Sequence, residues 1–168
     1  MPQFPANADR MNPYPDYAGR LYLGQSATPA AGISKISGLT RSSDVIEYRT
    51  AGSFLTFKGL GRTKYEAVTI ERGVTQDKEF EEWANAAQVL DKGSPSRSLK
   101  ALRKEVRIEL LNEAGQPVHR YLLHRCWVSE FQILNGIDAG ANGVAMEHIK
   151  IEHEGWEHDL SLPEPKEI

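Results

Sequence analysis

The feature that most constrains this chain is a period-two alternation of apolar and polar residues that returns several times along it. In Ser43 to Thr50 (SDVIEYRT), Ile46 and Tyr48 share one face, while Val45, Glu47 and Arg49 share the other. In Lys64 to Arg72 (KYEAVTIER), Val68 and Ile70 oppose Ala67, Thr69 and Glu71. In Lys104 to Leu111 (KEVRIELL), Val106, Ile108 and Leu110 oppose Arg107, Glu109 and Leu111. A strand alone places successive side chains on opposite sides, so each segment predicts a half-buried strand. Shorter candidates at Tyr17 to Gly24 and Ser53 to Lys58, and longer ones at Val118 to Val128 and Val144 to Glu152, add to the count. The turn NEAGQP (112–117) joins two of them into the clearest hairpin.

Against these strands stands a single helical pattern. Phe80, Trp83, Ala84, Ala87 and Leu90 recur at helical spacing, which predicts a helix over about 76–91 with Phe80, Trp83, Ala87 and Leu90 packed on the sheets. Thr75 serves as N-cap, Asp77 and Glu79 suit the first turn, and Gly93 follows the last. The expected fold is mainly β: an antiparallel sandwich or partial barrel with one packed helix. At 168 residues the chain suits one domain. That domain is expected over 12–160, between a Pro- and Asn-rich flexible arm (1–11) and a flexible tail (161–168).

Composition narrows function. The net charge of −3 supplies no global field for nucleic acid. Cys126 is the only cysteine, so an intramolecular disulfide is impossible, and its apolar neighbours predict a buried thiol. No apolar run approaches the roughly 20 residues of a membrane span. No signal peptide is visible, so synthesis and first folding are expected in the cytoplasm.

Three tempting motifs fail on spacing. His153 and His158 lie five apart across Gly155, whereas a zinc-protease helix needs histidines four apart. Gly59 to Lys64 (GLGRTK) leads into a strand, whereas a P-loop leads into a helix. Arg97, Lys100, Arg103, Lys104 and Arg107 form a basic cluster without the interleaved aromatics that stack on bases. No catalytic residue, cofactor or metal is expected.

Five segments, in order, resemble the tail tube proteins of contractile phage tails and of phage-tail-like extracellular contractile injection systems. They are NPYPDY (12–17), SGLTRSSDVIEYRTAG (37–52), GLGRTKYEAVTIERGVTQDKEF (59–80), LLNEAGQPVHRY (110–121) and GANGVAMEHIKIEHEGW (140–156). The resemblance implies a β-sandwich subunit that closes into a large β-barrel within a hexameric ring. Rings would stack into a hollow conduit inside a contractile sheath, with baseplate and tail-terminator proteins at its ends and DNA or protein cargo in its lumen. It implies a place in a virion tail or in an extracellular or cytoplasmic phage-tail-like particle, without membrane insertion of its own. It further implies that hairpins from both halves of the chain build the inner wall. Combined with the alternation, that gives Glu47, Arg49, Thr69, Glu71, Arg107 and Glu109 as lumen-facing candidates. For 118–128 neither face is preferred, because Leu122, Leu123 and Trp127 leave neither side polar. Two other readings stay open: a tube-initiator ring subunit at the baseplate, and a monomeric ligand-binding β-barrel or sandwich. A third, an enzyme using the histidines at strand ends (His119, His124, His148, His153, His158), would require them to converge.

Overall fold

The structure, a computed structural model, describes residues 4–30, 32–91, 99–140 and 142–167. Among the described residues nine strands and two helices follow one another. They are β1 (Gly19–Leu23), β2 (Ile33–Ile36), β3 (Arg41–Tyr48), β4 (Phe57–Tyr65), β5 (Val68–Gly73), α1 (Glu79–Asp91), α2 (Leu99–Leu102), β6 (Lys104–Leu111), β7 (Pro117–Gln132), β8 (Met146–Glu152) and β9 (Trp156–His158). Seven strands form one antiparallel sheet in the order β1-β6-β7-β8-β5-β2, with β9 also on β7, and β3 and β4 form a separate ribbon. The architecture is the expected one, mainly β with a packed helix, and the barrel is not closed within one chain.

The long strand β7 makes this one sheet behave as two layers. Its first part pairs with β6 and β9, and its last part pairs with β8. Between them the register against β6 shifts, with Lys104 opposite Cys126 but Val106 opposite Leu123. The extra residue is accommodated at Arg125, whose φ of 56° is left-handed, across from Gly155 at 147°. The bulge changes which parity points inward: Tyr121 and Leu123 reach the core before it, Cys126 and Val128 after it. A bent sheet results, and its two halves enclose Leu21, Leu23, Val68, Ile70, Val106, Ile149 and Ile151.

Helix α1 covers this core and packs against β7. Phe80 and Trp83 are buried in the core, Ala87 is half-buried, and the side chain of Leu90 lies outside the described residues. Trp83 Nε1 donates to the Leu102 carbonyl at 2.9 Å, tying α1 to α2. The helix starts three residues later than its pattern suggests. Thr75 accepts from the Asp77 N–H, and Asp77 Oδ1 accepts from the Glu79 N–H at 2.9 Å, so Asp77 is the capping side chain. Gly93, Arg97 and most of the 94–101 loop lie outside the described residues.

Under α1 a buried cation joins three elements. Arg72 on β5 is fully buried; it pairs with Glu147 on β8 through Nε and with Asp77 through Nη1 at 3.0 Å. Its guanidinium carbon lies 3.9 Å from the Phe80 ring centroid.

The arm and tail, expected to be flexible, are held against each other over the described residues. Glu164 accepts from the Ala6 N–H and Asn7 Nδ2, both at 2.7 Å, and from Tyr14 Oη at 3.0 Å. Arg10 lies between the Phe4 and Tyr14 rings and pairs with Glu113 at 2.8 Å and with Glu167. Polar residues can be ordered this way without an apolar core, because charge-assisted hydrogen bonds replace it.

Candidate assembly surface

The ribbon β3–β4 stands apart from the sheet. Its register runs from Arg41 opposite Tyr65 to Tyr48 opposite Phe57, with an irregularity between Ser43 and Val45. Three cross-strand contacts fix that register: Ser43 with Thr63 at 3.1 Å, Asp44 with Lys64 at 3.0 Å and Glu47 with Lys58 at 3.7 Å. Exposed ion pairs of this kind contribute only about 0.2–1 kcal/mol, so they set alignment more than they stabilise. Gly61 is required where the ribbon bulges, because a Cβ there would lie 2.7 Å from the Asp44 carbonyl oxygen. The turn contains Gly52 at a φ of 90°.

Every residue of β3 is exposed. The half-buried strand expected here, with Ile46 and Tyr48 sharing one face, is therefore corrected. A two-stranded ribbon with no layer beneath it has two faces but no core, so the pattern survives without burial. Val45, Ile46, Tyr48, Phe57 and Leu60 are all more than half exposed, as is Leu55, and Phe54 at the turn is completely so. Among the described residues no other strand or helix packs extensively on this ribbon. At its base Arg41 lies 5.8 Å from the Trp156 ring and Tyr65 lies 5.8 Å from the His153 ring. Sequence reasoning missed Phe54, Leu55 and Leu60. The signal was there: apolar residues at both parities around a turn cannot all face one core.

The six lumen candidates fall into separate places. Glu47 and Arg49 are exposed on or just beyond β3, on the ribbon and off the sheet. Thr69 and Glu71 lie on the half-exposed face of β5, with Lys35 3.9 Å from Glu71. Arg107 and Glu109 lie on β6, which β7 and β8 separate from β5. Arg107 is half-buried over the Tyr22 ring at 4.0 Å. Glu109 needs correction as an open wall residue: it is 4 % exposed, with Arg120 at 3.0 Å and Arg107 at 3.6 Å. The neighbouring strand supplies the arginine that covers it, which a pattern along one strand cannot show.

The histidines do not converge. His119 meets His158 at 3.0 Å, His124 meets Glu105 at 2.7 Å, His148 meets Glu130 at 3.2 Å, and His153 Nε2 donates to the Glu66 carbonyl at 3.0 Å. Among the described residues no three His, Cys, Asp or Glu side chains are grouped to hold a metal ion. Nor, among them, is any helix long and apolar enough to cross a membrane.

This geometry can be set beside known proteins. The family of T4-like virus tail tube protein gp19 matches residues 22–157, from within β1 to within β9. Solved structures share the fold. A chain of the anti-feeding prophage (AFP) tube terminating cap is 24 % identical with a TM-score of 0.73, over 89 % of this chain and 93 % of that one. In the sheath–tube complex of an extracellular contractile injection system, PVC, in the extended state, the values are 21 %, 0.71, 88 % and 91 %. In the AFP baseplate, six-fold symmetrised, they are 21 %, 0.69, 89 % and 97 %. Among curated protein sequences there is no match.

Proposed function

This chain belongs to the T4-like virus tail tube protein family and is a structural subunit of a tail tube; from that premise we propose that its copies close edge to edge into sixfold rings, which stack into a hollow conduit. The observation that carries the proposal is the β3–β4 ribbon. Among the described residues nothing covers its apolar side chains, and a second copy is the occupant that a self-assembling tube supplies at every position. Burying Phe54 or Leu55 against that copy would contribute about 1.5–3 kcal/mol each. Edge strands give a second reason. β1 and β2 close the two ends of the open sheet, and an unpaired edge invites pairing until neighbours complete the barrel.

In this reading Thr69 and Glu71 face the lumen on one side of the wall, and the conduit passes DNA or protein cargo. A contractile sheath surrounds it, with terminator and baseplate proteins at its ends, as the AFP and PVC relatives suggest. The six-fold symmetrised AFP baseplate supports the choice of six. The same reading accommodates an initiator ring at the baseplate end. It assigns the subunit no catalytic residue, cofactor or metal.

Negative-stain microscopy of purified protein tests it. Rings or tubes are expected from the native chain, and dispersed subunits from a variant carrying Phe54→Ser, Leu55→Ser and Leu60→Ser. Compact monomers from the native chain at all concentrations would sink the proposal. Undiminished tubes from the triple variant would remove the ribbon from it.

A further inference from the structure

Beneath the arm and tail lies a pair of imidazoles to which tube assembly gives no role. His119 on β7 and His158 on β9 meet Nδ1 to Nε2 at 3.0 Å. One nitrogen donates and the other accepts, so at least one ring is neutral. His158 stacks on Tyr121 with centroids 5.1 Å apart, and Tyr14 meets His119 edge-on at 5.7 Å. The Tyr14 hydroxyl donates to Glu164, the same carboxylate that accepts from the Ala6 N–H and Asn7 Nδ2. Contacts therefore run without a break from the histidine pair through Tyr14 to the hydrogen bonds that hold the arm on the tail. The pair, Tyr14 and Glu164 line one cavity of about 300 Å³.

We propose that this pair is an acid-sensitive latch: when both rings carry a proton, His119 and His158 separate and residues 4–14 leave the tail. Two cations cannot share the hydrogen bond, and close like charges repel.

The surrounding charges do not cancel this. On β7, Arg120 alternates to the face away from the pair and binds Glu109 and Asp159; Asp159 also lines the cavity of the pair, and its carboxylate is taken up by Arg120 and Ser161. On β9, Glu157 lies 3.5 Å from His124. In the arm, Arg10 is engaged by Glu113 and Glu167. Glu164 is the acid that favours a charged His119, and it already accepts three hydrogen bonds from the arm. If the imidazolium recruits it, the arm loses its acceptor, so attraction and repulsion release the arm alike. Burial first, and the nearness of His158 second, hold His119 below the ordinary imidazole range. A lowered value in the closed form means closure is fully favoured above about pH 6.5 and weakens as pH falls below it. Each proton taken up on opening weakens the closed form about tenfold per pH unit there.

Amide hydrogen exchange on the unassembled full chain tests the latch, at pH values either side of the imidazole range and normalised for intrinsic rates. The reporters are the Ala6, Asn7 and Arg10 amides, each hydrogen-bonded in the closed form. Their protection should fall about fivefold from about pH 6.5 to about pH 5.5 while β8 amides hold, because the freed imidazole is already half protonated at the upper value. His158→Gln and, independently, His119→Gln should keep the arm protected at the lower pH. Glu164→Gln should expose it at both. The proposal is overturned by arm protection that ignores pH in the native chain. It is equally overturned by an acid-driven loss that persists in both histidine variants, or by an arm still protected in Glu164→Gln. Because the free subunit is measured, the outcome is independent of tube formation.

Discussion

At the scale of single residues, the most consequential side chain is Arg72. It is fully buried, yet satisfied by Glu147, by the Asp77 carboxylate and by the Asp77 carbonyl at 2.7 Å. Removing one partner of a buried pair leaves an uncompensated charge, which costs about 3–5 kcal/mol. Arg72→Ala should therefore lower the free energy of urea unfolding of the free subunit by that much, because Glu147 is itself buried. Adding Glu147→Leu to an Arg72→Met background should restore most of the loss, since apolar residues of similar volume can replace such a pair. A double variant no better than Arg72→Ala would show that packing, not charge, dominates there. Asp77 gives this cluster a pH signature. The Glu79 N–H first, and Arg72 second, hold its carboxyl below the ordinary range. A depressed value means that its contribution is present above the unfolded value of about 3.9 and is lost as pH falls through the folded one. Unfolding midpoints measured below about pH 4 should fall less steeply in Asp77→Asn than in the native chain. An unchanged slope would assign the acid loss to other carboxylates.

At the scale of elements, what the sequence makes legible is local periodicity, and what it hides is how neighbours meet. Strand β6 falls on Lys104–Leu111 as its alternation predicts, and Val68 and Ile70 are buried on the face their pattern assigns. Strands β2 and β9, of four and three residues, are too short for any period to be counted. The unassigned face of 118–128 has a physical cause: the bulge at Arg125 reverses parity within β7, so no single alternation describes it. The ribbon shows the opposite limit. Period two reveals that Ile46 and Tyr48 differ from Glu47, but not that no layer lies beneath them among the described residues. Gly61→Ala isolates this element. The added Cβ meets the Asp44 backbone at 2.7 Å, so the ribbon must shift. Because the ribbon lies off the core, the unfolding free energy of the free subunit should change by less than about 0.5 kcal/mol. Assembly followed by light scattering should nevertheless be slowed or lost. Normal assembly with a destabilised subunit would place the ribbon in the fold instead of at a contact.

At the scale of the whole molecule, the question is which surfaces a tube covers and which it leaves wet. The chain carries its own clean background for asking. Cys126, the only cysteine, is fully buried, and burial pushes its thiol up to about 12, so it presents almost no thiolate at neutral pH. A cysteine introduced elsewhere is therefore read without interference. Two positions separate the surfaces. Val45 lies on the ribbon, whose cover we assign to a neighbouring copy, and Glu71 lies on the half-exposed face of β5, which we assign to the lumen. In the free subunit, Val45→Cys and Glu71→Cys should both react with a small thiol reagent. In assembled tubes Val45→Cys should become protected, because an apolar contact excludes water and solutes alike. Glu71→Cys should stay reactive toward the small reagent and lose reactivity toward one wider than the channel, since a lumen admits by size and an interface admits nothing. Replacing Glu71 removes only an exposed partner of Lys35 at 3.9 Å, so the variant should still assemble. If Glu71→Cys is protected from both reagents, β5 belongs to an interface and the lumen lies elsewhere. If both reagents reach it equally, that face is the outer wall, and the inside and outside of the proposed tube must be exchanged.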